Sequence, residues 1–187
     1  MKILVILASP DADSFNAAIC DTYAANIDRT RNEVKTLKLG ELDFDPVLRF
    51  GYREKMPADP DVTTSQELLT WADRVVFIYP IWWSSMPGLL KGWIDRVLTP
   101  GYAYNLEGVK HVGHLAGRTA ELWMTSNGPG FYYRWLSPLP VRLMCYHILR
   151  LCGIPVRGVH IFGNAEACAP AKRSAWLKRV AKAAAKL

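Results

Sequence analysis

Runs of apolar residues with hardly any polar position recur along the chain, and apolar residues at helical spacing lie between them. The first run, 2–8, is rich in isoleucine, leucine and valine. Because such a run offers no polar face, it is typical of a parallel strand covered on both sides. Similar runs predict four further strands, at 34–39, 74–79, 119–124 and 156–162.

Between these strands the apolar positions recur every three or four residues, which is the spacing of amphipathic helices. Ser14 is a suitable amino-terminal cap for the first helix. Pro87 suits the first turn of the third helix, with Ser84 and Ser85 as possible caps. The predicted helices are 14–27, one that ends at 71, one that begins at 87, 140–151 and 170–187.

Five strands that alternate with helices require right-handed crossovers, which predicts an α/β protein with a doubly wound parallel sheet. Helices on both faces make a three-layer sandwich, and the favoured strand order is 2-1-3-4-5. The 187 residues suit a single domain, 1–187. Ligands of such sheets bind beyond the carboxyl ends of the strands, beside the switch point between strands one and three. The candidate site therefore consists of the loops at 9–16, 80–86 and 125–134.

Composition excludes several classes of protein. Half of the residues are hydrophobic and 21% are charged, so the signature of a disordered chain is absent. The longest uncharged stretch near mid-chain, 75–90, is too short for a membrane span and contains Pro80 and Pro87. The first apolar run is shorter than the core of a secretory signal. We therefore expect no integral membrane segment and a cytoplasmic location.

Cysteine and histidine offer no clear chemistry. Cys20, Cys145, Cys152 and Cys168 form no C-x-x-C pair and are interpreted as reduced packing residues. The histidine pair of 111 and 114 lacks two further ligands at zinc spacing. No metal site is predicted.

The whole chain has a net charge of +6, and the positive charge is concentrated in its last third. Residues 131–187 hold ten Lys or Arg against one acid, a balance of +9, and residues 1–130 hold 13 against 16, a balance of −3. The cations of 170–187 have two interpretations, a solvated helix face or attraction of an anionic substrate such as a phosphorylated nucleotide. Nucleic acid is disfavoured because no recognised binding motif accompanies the charge.

The three loops offer different chemistry. The first contains Ser9, Ser14 and Asn16 at a helix amino terminus, which favours an anion, although plain helix capping explains it equally well. It matches neither the Walker loop nor the dinucleotide fingerprint. The second places Trp82 and Trp83 at a strand end, where a planar heteroaromatic ligand is the better explanation for the pair. The third, 125–133, combines hydroxyls, an amide and glycines, and is also compatible with a plain turn.

These residues resemble the NAD(P)H quinone oxidoreductase family of flavodoxin-like flavoproteins. The most specific stretch runs from Ala72-Asp73 through Pro80-Ile81-Trp82-Trp83-Ser84 and Leu90-Lys91-Gly92-Trp93 to Gly101-Tyr102-Ala103-Tyr104. The other three stretches are Ser9-Pro10 with Ser14-Phe15-Asn16, Phe44-Asp45-Pro46-Val47-Leu48, and Thr125 to Tyr133. The family often has histidine where this chain has Ser9, and many members carry a histidine beyond the active-site tyrosine, where this chain has 134–138 without one.

The resemblance implies a flavodoxin-like fold, a bound flavin and a homodimer with its sites at the subunit interface. FMN is expected in so short a chain, and FAD is possible. The implied reaction is two-electron hydride transfer from NADH or NADPH through FMN to a quinone or similar acceptor. Two other functions remain open: a single-electron carrier flavodoxin, which the positive net charge disfavours, and a regulatory flavoprotein that docks peripherally on a membrane transport protein.

The resemblance also implies roles for individual residues. Tyr133 is expected to donate a hydrogen bond as charge develops on reduction, with Tyr132 as the second candidate. The expected cofactor-binding residues are Ser9, Ser14, Phe15, Asn16, Pro80, Ile81, Trp82, Trp83, Thr125, Ser126, Asn127 and Gly128. The expected acceptor pocket consists of Tyr102, Tyr104, Phe131 and Trp135.

Two further expectations follow from the loops. Neither 80–91 nor 125–134 contains an acid, so the anionic, fully reduced flavin should be accessible. The aromatic segments 102–104 and 131–135 exceed what one small domain needs, which predicts association into a dimer.

Overall fold

The structure, a computed structural model, describes residues 1–108 and 110–187. Its centre is a five-stranded parallel sheet of β1 (Lys2–Leu7), β2 (Glu33–Lys38), β3 (Arg74–Pro80), β6 (Thr119–Ser126) and β7 (Val156–Gly163). The strand order is β2-β1-β3-β6-β7. This order is the predicted 2-1-3-4-5, so the α/β fold predicted from the apolar runs is confirmed.

Helices cover both faces of the sheet. On one face, α1 (Phe15–Ala25) packs against α5 (Pro170–Ala184). On the other lie α2 (Pro60–Trp71), α3 (Gly88–Val97) and the short α4 (Leu139–Arg142). Each face buries its own apolar cluster, so each central strand contributes alternate residues to both. No helix among the described residues is both long and apolar enough to cross a bilayer.

Two regions differ from the sequence prediction. An antiparallel hairpin of β4 (Tyr104–Glu107) and β5 (Lys110–Gly113) lies between α3 and β6, where no strand was predicted. The predicted helix 140–151 is not regular: wide turns over Tyr132–Leu136 and Leu143–Leu149 flank α4. Prolines at 138 and 140 supply no backbone N–H donor, which is a physical reason for the interruption.

The buried carboxylate of Glu121 interacts with three polar side chains on the face of the sheet that α1 and α5 cover. Tyr23 donates its phenolic hydrogen to Glu121 Oε2 at 2.8 Å, and His160 Nε2 lies 3.2 Å from Oε1. Arg74 Nη1 is 3.7 Å from Oε2. Burial raises the pKa of Glu121, but the hydrogen bonds from His160 and Tyr23 outweigh it, and the pKa lies below its usual value.

Glu121→Gln is expected to lower the free energy of unfolding by about 3 kcal/mol at pH 7, because it leaves buried partners of a carboxylate uncompensated. The lowered pKa means that Glu121 stabilises the fold above its usual pKa of 4.5, and that this stabilisation is lost as the pH falls through the lower folded value. Urea unfolding of wild type and variant at several pH values between 7 and 3 measures both effects. The exposed Glu107→Gln is the matched control. Equal stability of the two variants at pH 7 would contradict the prediction.

Candidate functional site

A cavity of about 310 Å³ opens at the carboxyl ends of β1, β3 and β6. This is the switch point that the strand order predicts. Ten of the twelve expected cofactor-binding residues line it, and Trp83 and Gly128 do not. The lining residues are Ser9, Asp11, Ser14, Phe15, Asn16, Pro80, Ile81, Trp82, Thr125, Ser126, Asn127, Ala165, Glu166 and Arg173.

The first loop presents hydroxyl groups and a helix amino terminus to the cavity. Ser14 caps α1, and its Oγ accepts a hydrogen bond from the backbone N–H of Ala17 at 3.2 Å. The same hydroxyl donates to the carbonyl oxygen of Asp11 at 2.7 Å and lies 3.3 Å from the Ser9 hydroxyl. The first turn of a helix leaves backbone N–H groups without intrahelical partners, and the helix dipole favours negative charge there. This end of the cavity therefore suits an anion.

Thr125 ties the three loops together. Asn16 Nδ2 donates to Thr125 Oγ1 at 3.0 Å, and both residues are buried. The backbone N–H of Ile81 donates to the carbonyl oxygen of Thr125 at 2.7 Å. Side chain and backbone of one residue thus fix the first and second loops relative to the third.

The second loop is a tight turn at the mouth of the cavity. Trp82 and Ser85 exchange two backbone hydrogen bonds of 3.1 and 2.9 Å, and the two residues between them have φ of 51° and 53°. Trp82 is half exposed and lines the cavity, whereas Trp83 is fully exposed at the tip. The predicted serine caps are wrong, since Ser84 and Ser85 belong to this turn and α3 begins at Gly88 without a side-chain cap.

The third loop is held against the end of β7. Gly128 accepts hydrogen bonds at its carbonyl oxygen from the Ser126 hydroxyl, at 2.9 Å, and from the backbone N–H of Asn164, at 3.1 Å. Gly130 and Gly163 approach each other closely. A Cβ atom at Gly163 would collide with the backbone of Gly128 and of Gly130. The glycines therefore permit a close backbone contact that shapes one wall of the cavity.

A fourth wall was not predicted. It comes from the loop after β7 and the first turn of α5, which contribute Ala165, Glu166 and Arg173. Glu166 accepts a hydrogen bond from Asn127 Nδ2 at 2.7 Å, and Arg173 donates to the carbonyl oxygens of Ala165 and Glu166. The loop after β7 also lies at the carboxyl edge of the sheet. The rule that ligands bind beyond the carboxyl ends of parallel strands therefore applies to this loop as well.

Two carboxylates line the cavity, those of Asp11 and Glu166. Asp11 lies in the first predicted loop, 9–16, and Glu166 lies in the loop after β7. The segments 80–91 and 125–134 contain no acid, so the expectation that the fully reduced flavin is accessible took account of only part of the lining.

The predicted tyrosines lie beside the cavity rather than in its lining. Tyr133 is half buried, and its ring is close enough to Gly128 that a Cβ atom there would lie 3.2 Å from the phenolic oxygen. Tyr132 packs edge-on against Tyr133 with ring centroids 5.2 Å apart. Phe131 and Trp135 are exposed on the same segment.

The structure does not bring Tyr102 and Tyr104 to this cavity. Tyr102 donates its phenolic hydrogen to the carbonyl oxygen of Gln66 at 2.7 Å, on α2. Tyr104 lies in β4, with its ring centroid 6.3 Å from that of His111. Both are partly buried against the core, so segment 102–104 is not the exposed aromatic patch that the dimer prediction assumed.

The described parts of the chain contain no cluster of side chains suited to bind a metal ion. Residues 1–108 and 110–187 contain no group of three or more His, Cys, Asp or Glu placed to hold a metal ion. Cys20, Cys145 and Cys152 are buried free thiols, and burial raises the pKa of Cys145 and Cys152 to about 11. Such thiols are protonated at neutral pH and serve as packing residues.

Comparison with known proteins identifies similar sequences and folds. A model of the flavodoxin-like fold family matches residues 1–186. Ribosyldihydronicotinamide dehydrogenase (quinone) of Pongo abelii is 29% identical over 153 residues, which cover 71% of this chain and 66% of that protein. The human protein of the same name is 28% identical, with 96% of this chain and 90% of that protein covered. The crystal structure of Smu.1420 from Streptococcus mutans UA159 has a TM-score of 0.88 and 34% identity, with both chains covered completely.

Proposed function

The chain belongs to the flavodoxin-like fold family, and from this premise we propose that it is an NAD(P)H:quinone oxidoreductase that uses FMN. The observation that carries the proposal is the lining of the cavity at the switch point of the sheet. One end offers hydroxyls, a helix amino terminus and an arginine, and the other offers proline, an aromatic ring and backbone groups. The similarity to the human quinone dehydrogenase supports the choice of acceptor.

The donor set fits the two ends of FMN. Ser9, Ser14 and the first turn of α1 would hold the phosphate, with Arg173 as a second source of positive charge. Pro80, Ile81 and Trp82 would contact the ring system, whose flat face suits apolar and aromatic neighbours. The polar groups of Thr125, Ser126 and Asn127 would meet the pyrimidine edge. FAD would need further room for its adenosine.

When bound, the flavin supplies the redox chemistry by accepting a hydride from NAD(P)H and delivering it to the quinone. The chain must orient the ring and exclude competing reactions. Buried Asn16 and Thr125 fix the loops that would grip the ring, which preorganises the site. Tyr133, whose ring lies beside Gly128, would donate a hydrogen bond where negative charge develops, and Tyr132 packs against it. Phe131 and Trp135, which are exposed on the same segment, would contact the acceptor.

The absorption spectrum of the purified protein tests the cofactor, and turnover tests the reaction. We expect a yellow protein, or uptake of added FMN with quenching of its fluorescence, and steady oxidation of NADH or NADPH by a small quinone. Flavin-free assays with the same nucleotides provide the control. Protein that neither contains nor takes up flavin would overturn the proposal.

The two tryptophans are expected to differ in their effect on flavin affinity. Trp82→Ala should weaken FMN binding about tenfold, because stacking adds about 0.5 to 1.5 kcal/mol beyond the burial of area. Trp83→Ala should leave FMN binding within about twofold, since its ring is fully exposed and does not line the cavity. Fluorescence titration with FMN compares both variants with wild type. Equal losses would show that Trp83 contacts the flavin directly.

A carboxylate beside the proposed pyrimidine edge favours a second candidate function, that of a single-electron carrier. Glu166, which accepts a hydrogen bond from Asn127, would disfavour the anionic, fully reduced flavin, which is the balance that a one-electron carrier needs. Anaerobic titration with NADPH or dithionite decides between the two. Direct conversion of oxidised to fully reduced flavin supports the quinone reductase. A large, stable one-electron-reduced species at half reduction would favour the carrier.

We also infer a homodimer. The inference rests on exposed apolar side chains outside the aromatic segments 102–104 and 131–135, on which the sequence prediction was based. The long segment after β2 exposes Val47, Phe50 and Tyr52, and the β4–β5 hairpin exposes Leu106. Large apolar side chains at such positions favour burial against another molecule. Light scattering at micromolar concentration should report twice the mass of the chain, and a monomer that retains quinone turnover would contradict the inference.

A further inference from the structure

His160 lies on the edge strand β7 and connects the sheet to α5. Its ring stacks on the ring of Trp123, with centroids 3.9 Å apart and an angle of 21° between the planes. Its Nε2 atom is 3.2 Å from Glu121 Oε1, and its Nδ1 atom is 3.3 Å from Nη2 of Arg179 on α5. A Cβ atom at Gly158 would lie 3.4 Å from Nε2, so a glycine there leaves room for the ring. The imidazole therefore links a buried carboxylate of β6 to a cation of α5.

The chemistry of the two partners assigns the hydrogen on this ring. A guanidinium has N–H donors and no acceptor, so Nδ1 of His160 accepts a hydrogen bond from Arg179 and carries no hydrogen itself. Nε2 then carries the hydrogen and donates it to the carboxylate of Glu121. Both hydrogen bonds thus require His160 in its neutral form, with the hydrogen on Nε2.

Uptake of a proton at Nδ1 removes the acceptor that Arg179 uses. The new N–H then points at the guanidinium, so two donors and two positive charges face each other. From the other elements, Tyr23 of α1 and Arg74 of β3 face the same carboxylate, that of Glu121. Burial raises the pKa of Tyr23, so its hydroxyl stays neutral. Glu121 would then be the one carboxylate among three cations, of which the exposed Arg179 is free to move into solvent.

Arg179 also contacts the aromatic residues that connect α5 to the cavity. Its Cζ atom lies 5.9 Å from the ring of Phe162 on β7. Phe162 stacks on Trp176 of α5, with ring centroids 4.8 Å apart. The ring of Trp176 is 6.0 Å from that of Phe15, which lines the cavity. Since Arg173 lies on the same helix and lines the cavity itself, the position of α5 against the sheet sets the position of this wall.

We propose that His160 is a positioning residue for the cavity. In its neutral form it holds Arg179, and through Arg179 the helix α5, in the arrangement that places Arg173 in the cavity wall. Histidine side chains take up a proton between about pH 8 and pH 5, so the contact is lost as the pH falls through this range. The link between His160 and α5 does not depend on the proposed quinone reductase function, whereas its effect on FMN binding rests on that function.

Measurements on the flavin-free protein test the link itself. At pH 8 the nitrogen NMR spectrum should show a hydrogen on Nε2 of His160 and none on Nδ1. Protection of the α5 amides against hydrogen exchange, corrected for the intrinsic effect of pH, should fall about fivefold between pH 8 and pH 5.5, the factor expected for one hydrogen bond. Glu121 stays charged over this range because its pKa lies below its usual value.

His160→Gln separates the proton from the contact. The glutamine amide offers a donor for Glu121 and an acceptor for Arg179, and it takes up no proton in this range. Protection of α5 in this variant should therefore stay constant between pH 8 and pH 5.5. A hydrogen on Nδ1 of His160 at pH 8, or the same fivefold fall in His160→Gln as in the wild type, would overturn the proposal.

Fluorescence titration with FMN at the same two pH values tests the effect on the cavity. Arg179→Met should raise the Kd about fivefold at pH 8 and should match the wild type at pH 5.5, where the wild type has lost the same hydrogen bond. Lys178→Met is the matched control, because it removes a charge from the adjacent exposed position of α5 and should follow the wild type within about twofold at both pH values. The phosphate of FMN titrates alike in all three samples, so it does not affect the comparison.

Two results of this titration would overturn the positioning role. They are equal affinity of Arg179→Met and wild type at pH 8, and a difference between them that is the same at both pH values. If none of the proteins binds FMN while the NMR and exchange results are as expected, the proposed function is contradicted and the link between His160 and α5 stands.

Discussion

Gly163→Ala is expected to raise the Kd for FMN on the order of 100-fold. The added Cβ atom would lie 2.0 Å from the backbone nitrogen of Gly130 and 2.8 Å from the carbonyl oxygen of Gly128. Both neighbours are backbone atoms, so the third loop must move as a unit. That movement would break the hydrogen bonds that Gly128 accepts from Ser126 and Asn164, and would displace the wall formed by Ser126 and Asn127.

Fluorescence titration with FMN measures the loss, and urea unfolding separates it from a general loss of stability. Overpacking of this kind costs about 1 to 3 kcal/mol, which a domain of this size can tolerate. Gly88→Ala is the matched control, since it begins α3 and a Cβ atom there has no neighbour within 4 Å. A Gly163→Ala protein that is folded and binds FMN as tightly as Gly88→Ala would show that the loop does not form the flavin site.

The sheet could be predicted because its strands are covered on both faces. In β1, five of the six residues are buried, and in β3 six of the seven, so their sequences consist almost entirely of apolar residues. The β4–β5 hairpin has no such signature. The residues of β4 are half buried or exposed, and β4 and β5 form a separate two-stranded sheet, so the sequence of the hairpin carries mixed polarity.

The irregular helix after the third loop shows a different limit. Its apolar residues recur at helical spacing, so 140–151 resembles a regular helix in sequence. Periodicity reports which residues are buried and does not specify the hydrogen-bond pattern. The observed segment buries Met144, Cys145 and Leu149 through wide turns, with backbone bonds such as Arg150 N–H to the carbonyl oxygen of Cys145.

The site was predictable as far as strand order defines it. The carboxyl ends of β1, β3 and β6 lie side by side, so the loops that follow them must converge. Which side chains then point into the cavity depends on turn geometry, and Trp83 illustrates this. Its φ of 51° in the turn after β3 leaves its ring in solvent, whereas the adjacent Trp82 lines the cavity.

Arg173→Gln is expected to weaken FMN binding by about 10- to 100-fold and to leave riboflavin binding unchanged. Arg173 is the only cation among the described residues that line the cavity. Its guanidinium has five N–H donors, and three hydrogen bonds to the carbonyl oxygens of Ala165 and Glu166 leave two for a ligand. A charge-assisted hydrogen bond to phosphate contributes about 1.5 to 3 kcal/mol, which corresponds to the expected loss.

Riboflavin separates two roles that the same arginine could have. It lacks the phosphate, so a residue that binds phosphate should affect FMN and spare riboflavin. A residue that only holds the loop at 165–166 in place should weaken both flavins equally, and that result would contradict the prediction. Lys172→Gln is the matched control, because it removes the same charge from the adjacent position of α5 but does not line the cavity. Its ammonium lies 5.1 Å from the centroid of the Trp176 ring, so FMN affinity should stay within about twofold of wild type.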